Sequence, residues 1–138
     1  MTQSYAGGCA CGAVRYETTS EPMAELHCQC LDCQKSSGTG HSSYLAFPRR
    51  SEVAVTGAAK TWRLKGDSGA DKDHAFCPTC GTPVWLTFPA GPDLIAIHAA
   101  SLDDPALFNP QMVTYAVRAH AWDAMDPALR TFERMPTE

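Results

Sequence analysis

The chain reads as a mainly β domain built from antiparallel strands, and three observations predict this. Short alternating or apolar stretches recur along its 138 residues, ten prolines and ten glycines punctuate them, and only one segment has the composition of a helix. At this length one domain is expected over residues 1–138, burying roughly 70% of the surface that the unfolded chain exposes. Metal is therefore not needed merely because the chain is small.

In order, residues 13–18 alternate, with Val14 and Tyr16 on one face, and predict a half-buried strand that Pro22 has ended. Residues 24–28 predict a second strand, and 31–37 a short helix closed by Gly38. Strands follow at 41–47, stopped by Pro48, at 52–56, stopped by Gly57, and at 61–65. The polar residues 66–73 are expected to be a mobile loop. Cys77-Pro78-Thr79-Cys80-Gly81 predicts a knuckle-like turn in which Gly81 takes a backbone conformation that other residues avoid. Residues 83–88 predict a strand, 89–92 a turn, 93–99 an apolar strand, 101–105 a break with one helical turn, and 111–117 the last clear strand. Only the tail from Met135 looks dispensable.

Seven cysteines fall into three tight groups: C-x-C at Cys9 and Cys11, C-x-C-x-x-C at Cys28, Cys30 and Cys33, and C-x-x-C at Cys77 and Cys80. Seven reads as four plus three. Four thiolates close a tetrahedral zinc site, which is usually structural, whereas three leave a position that water or a substrate sulfur can take. Extended residues at i and i+2 lie about 6.6 Å apart on one face, so Cys9 with Cys11, or Cys28 with Cys30, can tilt two sulfurs onto one ion. Joining Cys9 and Cys11 to the distant Cys77 and Cys80 would turn metal-binding free energy into folding free energy. Spacing alone leaves the pairing open. It also leaves open a closed Cys3His or Cys3Asp site, completed by His27, His41, His74 or Asp32.

The odd cysteine count argues against a disulfide framework, and the first eight residues carry neither a positive start nor an apolar run. With no stretch apolar enough to span a bilayer, a soluble cytoplasmic protein is expected, with no membrane partner. A formal charge of −4 disfavours nucleic acid. Lys35, Arg49, Arg50, Lys60, Arg63 and Lys65 read as surface residues from which a patch for a small anion could be drawn. His98 and His120 read as core or edge residues, and Trp62, Trp85 and Trp122 as core or cleft walls.

Gly8-Cys9-Ala10-Cys11-Gly12-Ala13-Val14-Arg15-Tyr16, His27-Cys28-Gln29-Cys30-Leu31-Asp32-Cys33 and Phe76-Cys77-Pro78-Thr79-Cys80-Gly81 occur in this order. In these motifs the chain resembles the glutathione-dependent formaldehyde-activating enzyme family, which includes centromere protein V, over about residues 5–122. The resemblance implies an Mss4-like β fold with zinc knuckles and two zinc ions. Cys9, Cys11, Cys77 and Cys80 would hold a structural zinc, and Cys28, Cys30 and Cys33 a catalytic one. It further implies a carbon–sulfur lyase that condenses a small thiol, glutathione or similar, with a small aldehyde, formaldehyde in the family. Relatives often carry a basic residue after the third cysteine of the central motif, where this chain has Gln34 and then Lys35.

A thiol entering the three-cysteine site would be deprotonated and held for attack on a carbonyl. His27, Asp32, His41 and Tyr44 are the nearest candidate proton donors in sequence. A methionine sulfoxide reductase would need a redox cysteine beyond its zinc ligands, and none follows Cys80. A non-enzymatic, zinc-stabilised binding module is the remaining alternative.

Overall fold

The computed structural model describes residues 3–136. Its strands are β1 (Tyr5–Gly8), β2 (Arg15–Thr18), β3 (Ala24–Cys28), β4 (Ser42–Phe47), β5 (Ala54–Thr56), β6 (Lys60–Lys65), β7 (Asp71–Phe76), β8 (Pro83–Thr87), β9 (Ile95–His98), β10 (Met112–Thr114) and β11 (Arg130–Thr131). Among the described residues the one α-helix, α1 (Leu31–Ser37), closely follows β3. Its Cys30 cap accepts from the Cys33 N–H, and the Gly38 N–H bonds the Gln34 carbonyl at the other end.

Two sheets form, one of order β1-β2-β5 and one of order β11-β10-β3-β4-β9-β8-β7-β6. Pairing is antiparallel, as expected, except that β10 runs parallel to both β3 and β11. A period-2 apolar pattern carries no strand direction, and β10 reaches β3 only through the long crossover that a parallel pair requires.

Alternation along the strands divides the larger sheet into two faces. Leu45, Phe47, Ile95, Ile97 and Trp85 point to one side and meet Tyr5 and Tyr16 of the small sheet, with Val14 just before β2, in the main core. Each fully buried Leu, Ile or Phe there contributes about 1.5–3 kcal/mol. Tyr5 packs edge-on against Phe47 at 5.6 Å, and Tyr16 against Trp85 at 6.4 Å. Tyr44, Leu86 and Ala96, one residue out of phase, join Cys28, Cys30 and Cys33 in a second apolar cluster on the other face.

Three expectations need correction. Residues 66–73 are not one mobile loop: a tight turn at Gly66 leads into β7, which pairs along its length with β6. Its acidic residues look like a loop in isolation but are matched across the ladder, Asp71 by Lys65 and Asp73 by Arg63. The last clear strand stops at Thr114, because Tyr115 turns to φ +57°. β1 was not expected, since its Gly7 and Gly8 weaken any strand signal.

Candidate metal centres

The turn of Cys9 and Cys11 and the turn of Cys77 and Cys80 come together, with all four sulfurs within 4.8 Å of one another. Cys9 Sγ lies 3.6 Å from Cys11 Sγ, which lies 3.7 Å from Cys77 Sγ. A zinc tetrathiolate with bonds of about 2.3 Å has sulfur–sulfur edges of about 3.8 Å, so the donor set fits that ion. Gly12 and Gly81 make the knuckles possible. Both sit at positive φ, +82° and +79°, and return their N–H groups to the Cys9 and Cys77 carbonyls at 3.2 and 2.8 Å. The Val14 and Thr79 N–H groups donate to the Cys9 and Cys77 sulfurs. The Thr82 hydroxyl, 3.2 Å from Cys80 Sγ, heads the hydrogen bonds that pull the Cys80 thiol down to about 5.

Cys28, Cys30 and Cys33 form the second group, all buried and again with sulfurs within 4.8 Å. β3 presents Cys28 on its last residue, Cys30 caps α1, and Cys33 lies in the first helical turn. The Cys33 N–H donates to Cys30 Sγ at 3.3 Å, and the Tyr44 hydroxyl contacts Cys33 Sγ at 3.4 Å. The three thiols act as one group. Hydrogen bonds from Cys30 and Cys33 pull Cys28 down to about 3, and the same contacts seen from the other side push Cys30 up to about 11 and raise Cys33.

Among the described residues no histidine or carboxylate joins this trio. His27 lies on the opposite face of β3, bonded to Ser43 at 2.7 Å and edge-on to His41, which is tied to Asp123 at 2.6 Å. Neither ring is placed to ligate or to pass a proton at the sulfurs. Asp32 accepts from Lys72 at 2.7 Å and contacts His74 Nε2 at 3.0 Å, and Trp62 stacks on His74 at 4.3 Å. Of the four candidate proton donors, Tyr44 alone touches a sulfur of the trio.

A cavity of about 320 Å³ opens beside the three sulfurs. Its walls are mainly apolar, with Leu26, Leu86, Phe88, Leu94 and Ala96 prominent among them. Lys72, Tyr44 and Thr114 are its principal polar groups near the sulfurs. Burial works against the Lys72 ammonium, yet Cys33, Cys30 and Asp32 outweigh it and raise its pKa. Lys72 Nζ is 3.8 Å from Cys30 Sγ. Thr114, the β-ladder partner of Cys28, has a fully buried hydroxyl with no hydrogen-bond partner among the described residues. Tyr115, next in the chain, lines the cavity in its left-handed conformation, which costs a non-glycine residue about 1–2 kcal/mol and is commonest where function demands it.

Sequence reading missed Lys72 because it fell in the supposed loop; the six cations named for an anion patch do not line the cavity. The polar alternation Asp71–Lys72–Asp73 was the available signal. Thr114 gave none, being one threonine in an apolar strand. Gln34 has a structural duty, donating to the Gln29 and Arg118 carbonyls and meeting His120 at 2.8 Å. Arg118 in turn pairs with Asp67, which caps the Leu31 N–H. The late stretch thus straps α1 in place. Trp85 is buried, whereas Trp62 and Trp122 are exposed, so neither is a core residue.

Fold and sites together define a mainly β protein with two cysteine clusters of metal-binding geometry, one with four protein donors and one with three beside a cavity. The sequence pattern of the glutathione-dependent formaldehyde-activating enzymes matches residues 4–118, and the chain belongs to that family. A Halomonas elongata protein named "Putative glutathione-dependent formaldehyde-activating enzyme" is 29% identical over 112 residues, covering 78% of this chain and 71% of that one. The crystal structure of a Rhodobacter sphaeroides protein superposes with a TM-score of 0.57 at 23% identity, covering 76% of this chain and 96% of that one. That likeness concerns the fold.

Proposed function

We propose that this chain is a zinc-dependent, cytoplasmic carbon–sulfur lyase that joins a small thiol, glutathione or similar, to a small aldehyde, giving S-(hydroxymethyl)glutathione when the aldehyde is formaldehyde. The observation that carries the reading is the trio of Cys28, Cys30 and Cys33: three buried sulfurs converge on the wall of a cavity, with no fourth donor among the described residues. In this reading they hold the catalytic zinc, and Cys9, Cys11, Cys77 and Cys80 hold a structural one. Bound by the trio, zinc would supply the positive charge that keeps an incoming thiol as its nucleophilic thiolate.

In the overall reaction the thiol loses its proton, its sulfur pair forms the C–S bond, and the carbonyl π pair moves to oxygen, which takes up a proton. Groups of this chain support each part. Lys72, at 3.8 Å from Cys30 Sγ, offsets the negative charge of three thiolates. Tyr44 and Thr114 both line the cavity, and their hydroxyls can donate to the oxygen as charge grows on it. The apolar walls keep water from competing for those donors. Exchange NMR on formaldehyde and glutathione tests the proposal: catalytic amounts of protein should speed interconversion, and folded Cys30→Ser should lose both one zinc and the acceleration. Full acceleration by Cys30→Ser would refute it.

A further inference from the structure

Resting on that reading, we infer that the cavity is built for an aldehyde with an apolar carbon skeleton, of roughly four to eight carbons, rather than for formaldehyde alone. Size is the first reason. A volume of about 320 Å³ is within the usual range of small-molecule pockets, about 300–1,000 Å³. Formaldehyde has two heavy atoms, one more than a water molecule, whose share of liquid volume is about 30 Å³. It would leave most of this space to no purpose.

Lining chemistry is the second reason. Away from the sulfurs the walls include Leu26, Leu86, Phe88, Leu94, Met135 and paired alanines. Ala46 faces Ala96 across the β4–β9 ladder, so two adjacent strands both present a methyl where a larger side chain would fill the space. Glutathione, with its two carboxylates and one ammonium, finds no match on such walls. Its complement is the exposed polar part of the lining at Asp67 and Ser68, where Asp67 is already neutralised by Arg118, while Lys72 is held inward against Asp32 beside the sulfurs. The thiol therefore lies along that polar part with its sulfur at the trio, and the aldehyde carbon attached to that sulfur carries its chain inward. The reaction is unchanged in its atom balance: RSH adds across R′CH=O to give RS–CH(OH)R′.

The test uses the zinc-loaded full chain and exchange NMR with glutathione and a series of formaldehyde, propanal, butanal, hexanal and decanal. Catalytic efficiency should rise roughly three- to fourfold per methylene until the cavity is full and then fall. Ala96→Phe should lower the hexanal-to-formaldehyde ratio at least tenfold. Should that variant not fold, Ala46→Phe on the facing strand should do the same. A second readout avoids turnover: 8-anilinonaphthalene-1-sulfonate bound to the protein should be displaced by 1-hexanol at lower concentration than by 1-butanol or methanol, and less readily in the variant. Efficiency highest for formaldehyde and falling with every methylene overturns this inference and leaves the lyase standing. No acceleration with any aldehyde, formaldehyde included, overturns both.

Discussion

Replacing Cys77 and replacing Cys30 by serine should have opposite profiles, and the difference follows from chain topology. The Cys11–Cys77 contact spans 66 residues, whereas Cys28 and Cys33 are five apart in sequence. Loop-closure entropy grows as (3/2)RT ln n, so an ion at the four-cysteine site restrains the unfolded chain more than one at the trio by about 2 kcal/mol. The absolute restraint across the longer loop is about 4 kcal/mol on the scale used for cross-links. Cys77→Ser should therefore lower the melting temperature by about 12 °C, at about 3 °C per kcal/mol for a domain of this size. Cys30→Ser should fall by about half that or less, yet abolish thiol–aldehyde addition. Thermal unfolding by circular dichroism, with zinc counted by mass spectrometry on the same samples, reads both. Cys30→Ser proving as destabilising as Cys77→Ser would refute the division into one staple and one working site, because it would make the trio equally responsible for the fold.

Other perturbations have worked outcomes. Lys72→Met should cost about 3–5 kcal/mol in urea unfolding, since Asp32 would be left with His74 as its sole polar partner in a site where the Asp32 side chain is only 5% exposed. Adding Asp32→Asn should recover part of that loss, because the amide still accepts from His74. Tyr44→Phe should leave stability within about 1 kcal/mol, the hydroxyl's contact with Cys33 Sγ being a weak one, and reduce the addition rate about 100-fold through loss of a donor to the developing oxygen. Burial, with His74 adding to it, pushes His98 down to about 4 from 6.5. Between those values the unfolded chain binds the extra proton, so stability should be lost as pH falls, by about 2 kcal/mol near pH 5, and His98→Gln should flatten that slope.

What could be read from the sequence was whatever rests on local spacing. C-x-C and C-x-x-C state how sulfurs share a face or a turn, the alternation of Val14 and Tyr16 states which residues enter a core, and the apolar run around Ile97 states that its strand is buried. Spacing could not say that β3 and β4 turn His27 and Ser43 away from the sulfurs while presenting Cys28 and Tyr44 to them, because the phase of a strand is set by what packs on it. Nor could it reveal Lys72. A lysine between two aspartates looks solvated until the cross-strand partners Arg63 and Lys65 absorb those aspartates and leave the ammonium to turn inward.

The two faces of the larger sheet separate tasks that compete within one apolar layer. Side chains that hold the sheets together must fill space at crystal-like density, and a substrate needs space left unfilled. One strand serves both by alternation: β4 commits Leu45 and Phe47 to the main core and gives Tyr44 and Ala46 to the cavity. A cavity of this size would weaken a core this small if nothing else held the chain, since each unfilled methyl-sized space costs about 1 kcal/mol. The four-cysteine cluster lies with Cys9 and Cys77 in the main core, away from the cavity, and ties the first hairpin to the β7–β8 turn across 66 residues. An ion held by these four cysteines would thus offset the cost of the cavity without crossing it, which gives a reason for a second cysteine cluster of metal-binding geometry in a chain whose length does not itself demand one.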